Sequence, residues 1–210
     1  LLADCAENCR VLQINNPVLS SRDLMKIEGL HMPGLQAKKV SLLYYKNSSL
    51  ALALDRLFVA CDKAYYAGAN ILILSDRGVD ENHIAIPSLL AFSAVQQYLV
   101  RTKKRTAISI ILESAEPRDV HHFATLFGYG ASAVNPYLAQ DCIGELIAGG
   151  ALNKDYYAAV DAYNKAILDG VMRIASKMGI SSMQSYEGAQ IFEAVGICKD
   201  VVDRYFTNTV

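Results

Sequence analysis

Acidic and basic side chains stand directly after two short apolar runs of this sequence. The first run, residues 71–74, is followed by Ser75, Asp76 and Arg77. Such a run is typical of a buried parallel strand whose carboxyl end opens onto a loop, and α/β sheets bind ligands at those ends. Asp76 and Arg77 could therefore bind a ligand. We favour a structural role, in which the two side chains pair with each other or cap the next helix.

Two carboxylates follow the second run, residues 107–112, in the same way. Glu113 and Glu116 could serve as a general acid and a general base if their surroundings set their pKa values apart. Glu116 also stands just before Pro117, where negative charge stabilises the start of a helix. We therefore expect Glu116 to act in helix capping rather than in chemistry.

The histidines and cysteines do not have the spacing of a metal site. His121 and His122 are adjacent in a predicted helix, so their side chains point about 100° apart and do not easily ligate one metal. We expect a buried, hydrogen-bonded histidine there. Zinc and iron–sulfur sites require several converging ligands, so we interpret the cysteines as reduced structural thiols of a cytoplasmic protein. The five cysteines are irregularly spaced, at Cys5, Cys9, Cys61, Cys142 and Cys198.

Two segments near the carboxyl terminus, residues 176–181 and 185–190, are the densest in polar side chains. Their glycines predict tight turns between helices. The Lys, Ser and Tyr side chains of so compact a turn could bind an anion, but we favour packing against another domain. A glycine pair at 128 and 130 resembles part of a phosphate loop, yet it follows a helix end, whereas phosphate binds at helix starts.

The composition is that of a globular protein without excess charge. Of the 210 residues, 52% are hydrophobic, and 20 basic side chains nearly balance 21 acidic ones, for a formal net charge of −1. This balance provides no long-range attraction to nucleic acid or to an anionic membrane, so neither is an expected partner. The apolar runs are all short, which predicts no transmembrane helix.

Hydrophobic periodicity predicts alternating strands and helices in the middle of the chain. Residues 1–36 are expected to be irregular apart from a short helix over 22–28, capped by Ser21. Strands are predicted at 40–45, 71–74, 107–112 and 131–135, with a loop over 75–85. Helices are predicted from about 50 to 67 with Ser48 or Ser49 as the cap, from Pro87 to Val100 and from Pro117 to Leu126.

This order indicates an α/β fold with a parallel sheet of about four strands and crossover helices, fewer strands than a complete (β/α) barrel has. The rest of the chain is predicted to be mainly helical, over 139–148, 154–179 with an interruption at Gly170, 188–195 and 199–206. We therefore predict a single domain over 1–210. It consists of an irregular segment (1–36), βα repeats (37–137) and a helical segment (138–210).

Several long strings resemble one known family, from about Asn16 to the end of the chain. They are residues 71–78, 113–123, 128–131 and 135–139, followed by 176–181 and 188–194. The family is the central domain of the glutamate synthase large subunit. The resemblance implies an α/β domain like an incomplete (β/α) flavin barrel, in agreement with the four predicted strands. It also implies that the chain is a fragment of a larger multidomain chain.

The resemblance further implies a connecting role in glutamate biosynthesis and ammonia assimilation. In that family, an amidotransferase domain releases ammonia from glutamine. The ammonia passes through a tunnel, which the central domain helps to form, to an FMN-barrel domain that makes glutamate. The parent enzyme is expected to use FMN and an iron–sulfur cluster as cofactors, with NADPH, NADH or ferredoxin as the electron donor. A small subunit is a further expected partner. No catalytic, cofactor-binding or metal-binding residue is transferred to this chain, which we expect to be inactive alone.

Two other interpretations stay open. The chain could be a stand-alone α/β protein that binds a flavin or a phosphate-containing ligand at its strand ends, through Asp76, Arg77, Glu113 and Glu116. It could also be a regulatory binding module without chemistry. Tight binding of FMN would favour the first of these, and absence of binding would favour a connector.

Overall fold

The computed structural model of the protein describes residues 11–30 and 32–210. Within these residues, four strands form an open parallel sheet in the order β1-β3-β5-β6, and two further strands form an antiparallel ribbon. The predicted parallel α/β sheet of about four strands is confirmed. The strands are β1 (Ala37–Ser41), β2 (Leu43–Tyr45), β3 (Ile71–Ser75), β4 (His83–Ala85), β5 (Ser109–Glu113) and β6 (Ala133–Asn135).

Helices connect the parallel strands and end the chain. The α2 helix begins where the Ser49 hydroxyl accepts a hydrogen bond from the Leu52 amide, so the predicted serine cap is present. The described helices are α1 (Ser21–Glu28), α2 (Leu50–Tyr66), α3 (Ser88–Arg101), α4 (Val120–Gly128), α5 (Tyr137–Ala148), α6 (Tyr156–Lys177), α7 (Met183–Tyr186) and α8 (Lys199–Tyr205), with a 3-10 turn at Arg105–Ala107.

One face of the sheet carries the larger hydrophobic core. Leu72, Leu74, Ile110 and Leu112 alternate along β3 and β5, so that they share this face, and all four are fully buried. Side chains of α2, α3, α4 and α6 pack against them in one cluster. Both faces of β3 are covered, which explains why its sequence is apolar without alternation.

The other face is covered by α1 and the segment before it. Ile73 and Ile111 meet Leu24 and Ile27 of α1 in a second, smaller cluster. Just before α1, the Leu19 amide donates to the Val134 carbonyl at 2.8 Å, which adds a short parallel bridge beyond β6. The predicted helix near residue 22 is therefore confirmed, but its N-cap is Ser20 rather than Ser21.

The strand predicted over 40–45 is in fact two strands in different sheets. The chain turns at Leu42, whose amide donates to the Ser75 carbonyl and whose carbonyl accepts from the Ile86 amide. Beyond this point β2 pairs with β4, which lies inside the predicted loop over 75–85. Two three-residue strands are too short for hydrophobic alternation to reveal them.

The helices differ from the predictions in three larger ways. α4 begins at Val120 and not at Pro117, because the Asp119 carboxylate accepts a hydrogen bond from the His121 amide and caps the helix there. α6 continues through Gly170 without interruption. Residues 188–195 are not helical, although their apolar spacing suggested a helix: the Gly188 amide donates to the Gly128 carbonyl, and Phe192 packs on Gly128.

Gly170 is required because α6 approaches α4 closely. A Cβ atom at this position would lie 2.6 Å from Cγ2 of Val120. We expect Gly170→Ala to lower the free energy of unfolding by about 1–2 kcal/mol, even though alanine favours a helix by roughly 1 kcal/mol over glycine. Urea-induced unfolding measures this change.

Gly144→Ala in α5 is the matched control, since its Cβ would make an ordinary contact with Tyr156 at 3.5 Å. It should leave stability unchanged or raise it by up to about 1 kcal/mol. Equal losses for both variants would show that the contact between Gly170 and Val120 is not the cause.

Candidate functional site at the carboxyl edge of the sheet

A row of polar side chains crosses the sheet at the carboxyl ends of its strands. The strand register places Ser75 beside Glu113, and Glu113 beside Asn135. These three side chains share the face covered by α1, because each stands two residues after an apolar residue of that face. All three are buried. The predicted meeting of polar groups at the strand ends is thus present, but as a buried layer.

Glu113 is the centre of this row. Its Oε2 accepts a hydrogen bond of 2.6 Å from the Ser75 hydroxyl and lies 2.9 Å from Nζ of Lys39. Its Oε1 accepts from Nε of Arg77 at 2.9 Å. Lys39 also forms an ion pair with Glu28 of α1. Both oxygens of the buried carboxylate are therefore occupied by the protein's own donors.

The surroundings of Glu113 favour its charged form. Burial alone would raise the pKa of this carboxyl, but the Ser75 hydroxyl, Lys39 and Arg77 outweigh burial and hold the pKa below its usual value. Lys39 and Arg77 are 42% and 44% exposed, whereas the Glu113 side chain is 5% exposed. Glu113 is consequently an ionised, paired group and not a proton donor at neutral pH.

Asp76 lies beside this centre in a second set of bonds. Its Oδ2 accepts a 2.5 Å hydrogen bond from the Ser114 hydroxyl, and the Ala115 amide donates to the carboxylate at 3.1 Å. Burial raises the pKa of Asp76, and the Ser114 and Tyr137 hydroxyls only partly offset it. Burial and the nearby Asp76 carboxylate also raise the pKa of Tyr137. The prediction that Asp76 and Arg77 pair with each other is wrong.

Arg77 instead joins the sheet to α5. Its guanidinium carbon lies 3.9 Å from the centre of the Tyr137 ring, a cation–π contact, and its Nη1 is 3.9 Å from Oδ2 of Asp141. Neither Lys39 nor Tyr137 was identified from the sequence as part of this site. Lys39 lies inside a strand, where the sequence pattern gives no sign of a site. Tyr137 could have been found, because it follows β6 by two residues and so repeats the signal of a polar group after a strand.

Glu116 acts as a helix cap, as predicted, but for a different helix. Its Oε2 accepts from the Ser88 amide at 3.0 Å and from the Ser88 hydroxyl at 2.5 Å, so it caps α3 across the edge of the sheet. An open cleft of about 420 Å³ lies next to it, between α3 and α4. Phosphate binding at these two helix starts is opposed by Glu116 on α3 and by Asp119 on α4.

The histidine pair is exposed, so the prediction of a buried histidine is wrong. Nδ1 of His122 accepts weak hydrogen bonds from the Arg118 and Asp119 amides, which completes a capping box at the start of α4. Among the residues that the structure describes, no group of three or more His, Cys, Asp or Glu side chains could hold a metal ion.

The cysteines of the described residues are separate free thiols. Cys61 is buried, and burial raises the pKa of its thiol to about 12, so it is unreactive at neutral pH. Cys142 and Cys198 are exposed. Cys5, Cys9 and His31 lie outside the described residues.

A second buried polar cluster fastens the segment before α1 to the sheet. The side-chain amides of Asn135 and Gln140 both donate to the Leu19 carbonyl at 2.9 Å. Oε1 of Gln140 accepts from the Ser21 amide at 3.0 Å. This cluster was not identified from the sequence, since its members come from three separate elements. It acts as a structural anchor.

The charged groups of this edge are engaged by the protein's own donors and acceptors. Glu113, Asp76 and Glu116 each accept hydrogen bonds from the protein itself, and Arg77 neutralises a buried carboxylate. The interpretation as a flavin-binding or phosphate-binding site at Asp76, Arg77, Glu113 and Glu116 therefore gains no support from the geometry.

Sequence comparison decides the family. A model of the family described as "Glutamate synthase central domain" matches residues 1–198. The chain belongs to this family. The resemblance inferred from residues 71–78 and the strings after it is therefore confirmed, and the polar edge described above is that of a glutamate synthase central domain.

Curated relatives of this glutamate synthase central domain include bacterial and fungal proteins. A protein of Bacillus subtilis named glutamate synthase [NADPH] large chain is 46% identical over 209 residues, covering 100% of this chain and 14% of that protein. Glutamate synthase [NADH] of Schizosaccharomyces pombe is 35% identical, covering 96% and 10%. Ferredoxin-dependent glutamate synthase 2 of Synechocystis is 38% identical, covering 100% and 14%.

The chain thus spans about a seventh or less of the length of these relatives. Within the described residues, none of the helices is both long enough and apolar enough to cross a membrane.

Replacing Glu113 by glutamine tests the centre of the polar row. Glu113→Gln keeps the shape but removes the charge that pairs with Lys39 and Arg77, so we expect a loss of about 1–3 kcal/mol in the free energy of unfolding at pH 7. Because the folded-state pKa of Glu113 is lowered, the protein carrying Glu113 should keep its full advantage above pH 4.5, the ordinary value, and lose it as pH falls below that. Unfolding curves of both proteins between pH 7 and acid measure the difference.

Glu116→Gln serves as the comparison, because Glu116 is exposed and caps only one helix. Its cost should be below about 1 kcal/mol. A stability difference between the unchanged protein and the Glu113→Gln variant that stays constant down to low pH would contradict the assignment of Glu113 as the ionised centre.

Proposed function

We propose that this chain is the central connecting domain of a glutamate synthase large subunit. In this proposal it acts in the cytoplasm, in glutamate biosynthesis and ammonia assimilation, and links an amidotransferase domain to an FMN-barrel domain of the same chain. The observation that carries the proposal is the family match over residues 1–198, together with a carboxyl edge whose charged groups are engaged by the protein itself. A connector requires order at that edge and no chemistry.

The relatives support the wider assignment. Their names include NADPH-, NADH- and ferredoxin-dependent glutamate synthases, so the domain occurs with all three electron donors. The chain covers only 10–14% of their length, which leaves room for amidotransferase and flavin domains elsewhere. In the proposal, the 210 residues form one domain and provide no catalytic, cofactor or metal site. FMN, an iron–sulfur cluster and a small subunit belong to the parent enzyme.

A rigid connector suits the transfer of ammonia. Ammonia that meets bulk water is protonated and ceases to be a nucleophile, so its path between two active sites has to exclude water. The sheet meets this need with two covered faces and with a buried carboxylate at the strand ends whose charge is paired. We therefore include a contribution to the wall of the ammonia tunnel in the proposal.

The two polar segments, residues 176–181 and 185–190, supply the proposed contact with a neighbouring domain. Lys177 ends α6 and is exposed, and Gly179 and Gly188 have positive φ angles with nothing near their missing Cβ atoms. Tyr186 between them is fully buried and anchors the second segment. The second segment is thus fixed by a buried tyrosine, while Lys177 and the two glycine turns are accessible to a neighbouring domain.

Lys177→Glu in the intact enzyme tests the connecting role. Reversing the charge at a domain contact should separate the two half-reactions, so that glutamine hydrolysis exceeds glutamate formation by about three- to tenfold, which corresponds to a loss of roughly 0.7–1.4 kcal/mol at the contact. Glutamine consumed and glutamate formed are measured in the same reaction, and ammonia-dependent synthesis is measured separately.

Lys63→Glu is the matched control, since Lys63 is an exposed lysine in the last turn of another helix, α2. It should keep the two rates coupled. Unchanged coupling in Lys177→Glu, with the control also coupled, would refute the placement of these segments at a domain contact.

A further inference from the structure

The α5 helix carries apolar residues on two sides: Ile143 and Ile147 lie half-buried on the side of Gln140, and others face outward. Its twelve residues, Tyr137–Ala148, include leucines, isoleucines and alanines, but Gln140 is its only buried residue. A surface helix usually turns its apolar face to the core and its polar face to solvent. In α5 the residue held most deeply is a polar anchor, hydrogen-bonded to the Leu19 carbonyl.

The outward face of α5, formed by Leu138, Cys142 and Leu146, is apolar and uncovered. These residues are four apart, so they lie in one stripe, on the side of the helix opposite Gln140. Leu138 is 45% exposed and Leu146 is 51% exposed, and Cys142 between them is exposed as well. Neither leucine belongs to a hydrophobic cluster of residues 11–30 and 32–210.

Acidic side chains flank the stripe. Asp141 is 53% exposed, with Arg77 as its partner at 3.9 Å, and Glu145 is exposed. A surface that fits the outward face of α5 therefore has an apolar centre and basic side chains at its rim.

We propose that the outward face of α5 docks against another domain of the same glutamate synthase large chain, on an apolar patch with a basic rim. The proposal rests on the proposed function, since it requires that the chain be one part of a longer polypeptide. It adds a second contact surface, separate in sequence from residues 176–190.

The size of the stripe favours a neighbour in the same chain over a second copy. Stable complexes of separate proteins bury about 1,200–2,000 Å² in total, far more than three side chains of one helix supply. A covalently attached domain is present at an effective concentration of about millimolar and needs much less contact area to remain docked. The relatives, of which this chain covers 10–14%, have ample chain for such a neighbour.

Thiol labelling of the full-length large chain tests the proposal, with Cys142 as the reporter. The rate at which iodoacetamide modifies Cys142 is followed by mass spectrometry in the native enzyme and in enzyme unfolded by guanidinium. A covered face should make labelling of Cys142 in the native enzyme at least about tenfold slower, since only transient opening exposes the thiol. Leu138→Lys/Leu146→Lys should bring the native rate back to within about threefold of the unfolded rate, because lysines are costly in an apolar contact and are repelled by a basic rim.

Two controls accompany this variant. Leu52→Lys/Val59→Lys places the same charges on exposed residues of α2 and should leave Cys142 protected. Cys61, which is buried, should stay unlabelled in every native sample and so reports that each variant is folded.

Three results would overturn the proposal. They are equal labelling of Cys142 in native and unfolded enzyme, protection that persists in the Leu138→Lys/Leu146→Lys variant, and protection that rises with enzyme concentration, which would assign the face to a second copy. The proposed function is judged separately, by the coupling of glutamine hydrolysis to glutamate formation in Lys177→Glu. Loss of coupling there with an unprotected Cys142 would retain the connecting role and reject α5 as a contact surface.

Discussion

The ionised Glu113 carboxylate, held almost out of water, is the constraint on which the rest of the sheet edge depends. A buried charge is tolerated only when partners replace its hydration, and Lys39 of β1, Ser75 of β3 and Arg77 of the loop after β3 do so. Each partner brings further structure with it. Lys39 engages Glu28 of α1, and Arg77 stacks on Tyr137 of α5. One carboxylate thereby links the sheet to α1, which covers one of its faces, and to α5, which follows β6.

The same pairing shows how polar strand ends can have a structural role. In α/β proteins the carboxyl ends of the strands are where loops gather catalytic groups. Here those ends also carry carboxylates, basic groups and hydroxyls, but these groups bind one another. Asp76 is bound by Ser114 and Ala115, and Glu116 caps α3. The polar groups of this edge therefore bind elements of the domain to one another. Such rigidity suits a domain whose proposed task is to hold two catalytic domains at a fixed distance.

Sequence patterns predicted those parts of the fold that depend on neighbouring residues. β3 and α2 were predicted because an apolar run and a serine cap are local signals. β2 and β4 were missed because three-residue strands have too few residues to alternate, and residues 188–195 were assigned wrongly because Phe192 packs on Gly128, a contact between distant parts of the chain. At the edge, the pattern located Asp76, Arg77, Glu113 and Glu116 but not the pairs that they form. Those are set by the register between strands, which places Glu113 beside Ser75 and cannot be read from either strand alone.

The anchor of Leu19 has a consequence for how the chain folds. The Leu19 carbonyl is held by Asn135 and Gln140, which are 116 and 121 residues away in sequence. Closing so long a loop costs chain entropy before any bond repays it, so contacts of this separation form late. The adjacent βα units can assemble as soon as each is synthesised, whereas the segment before α1 has to wait for β6 and α5. During synthesis on the ribosome, the face of the sheet that α1 covers is therefore completed only after β6 and the first turn of α5 have emerged.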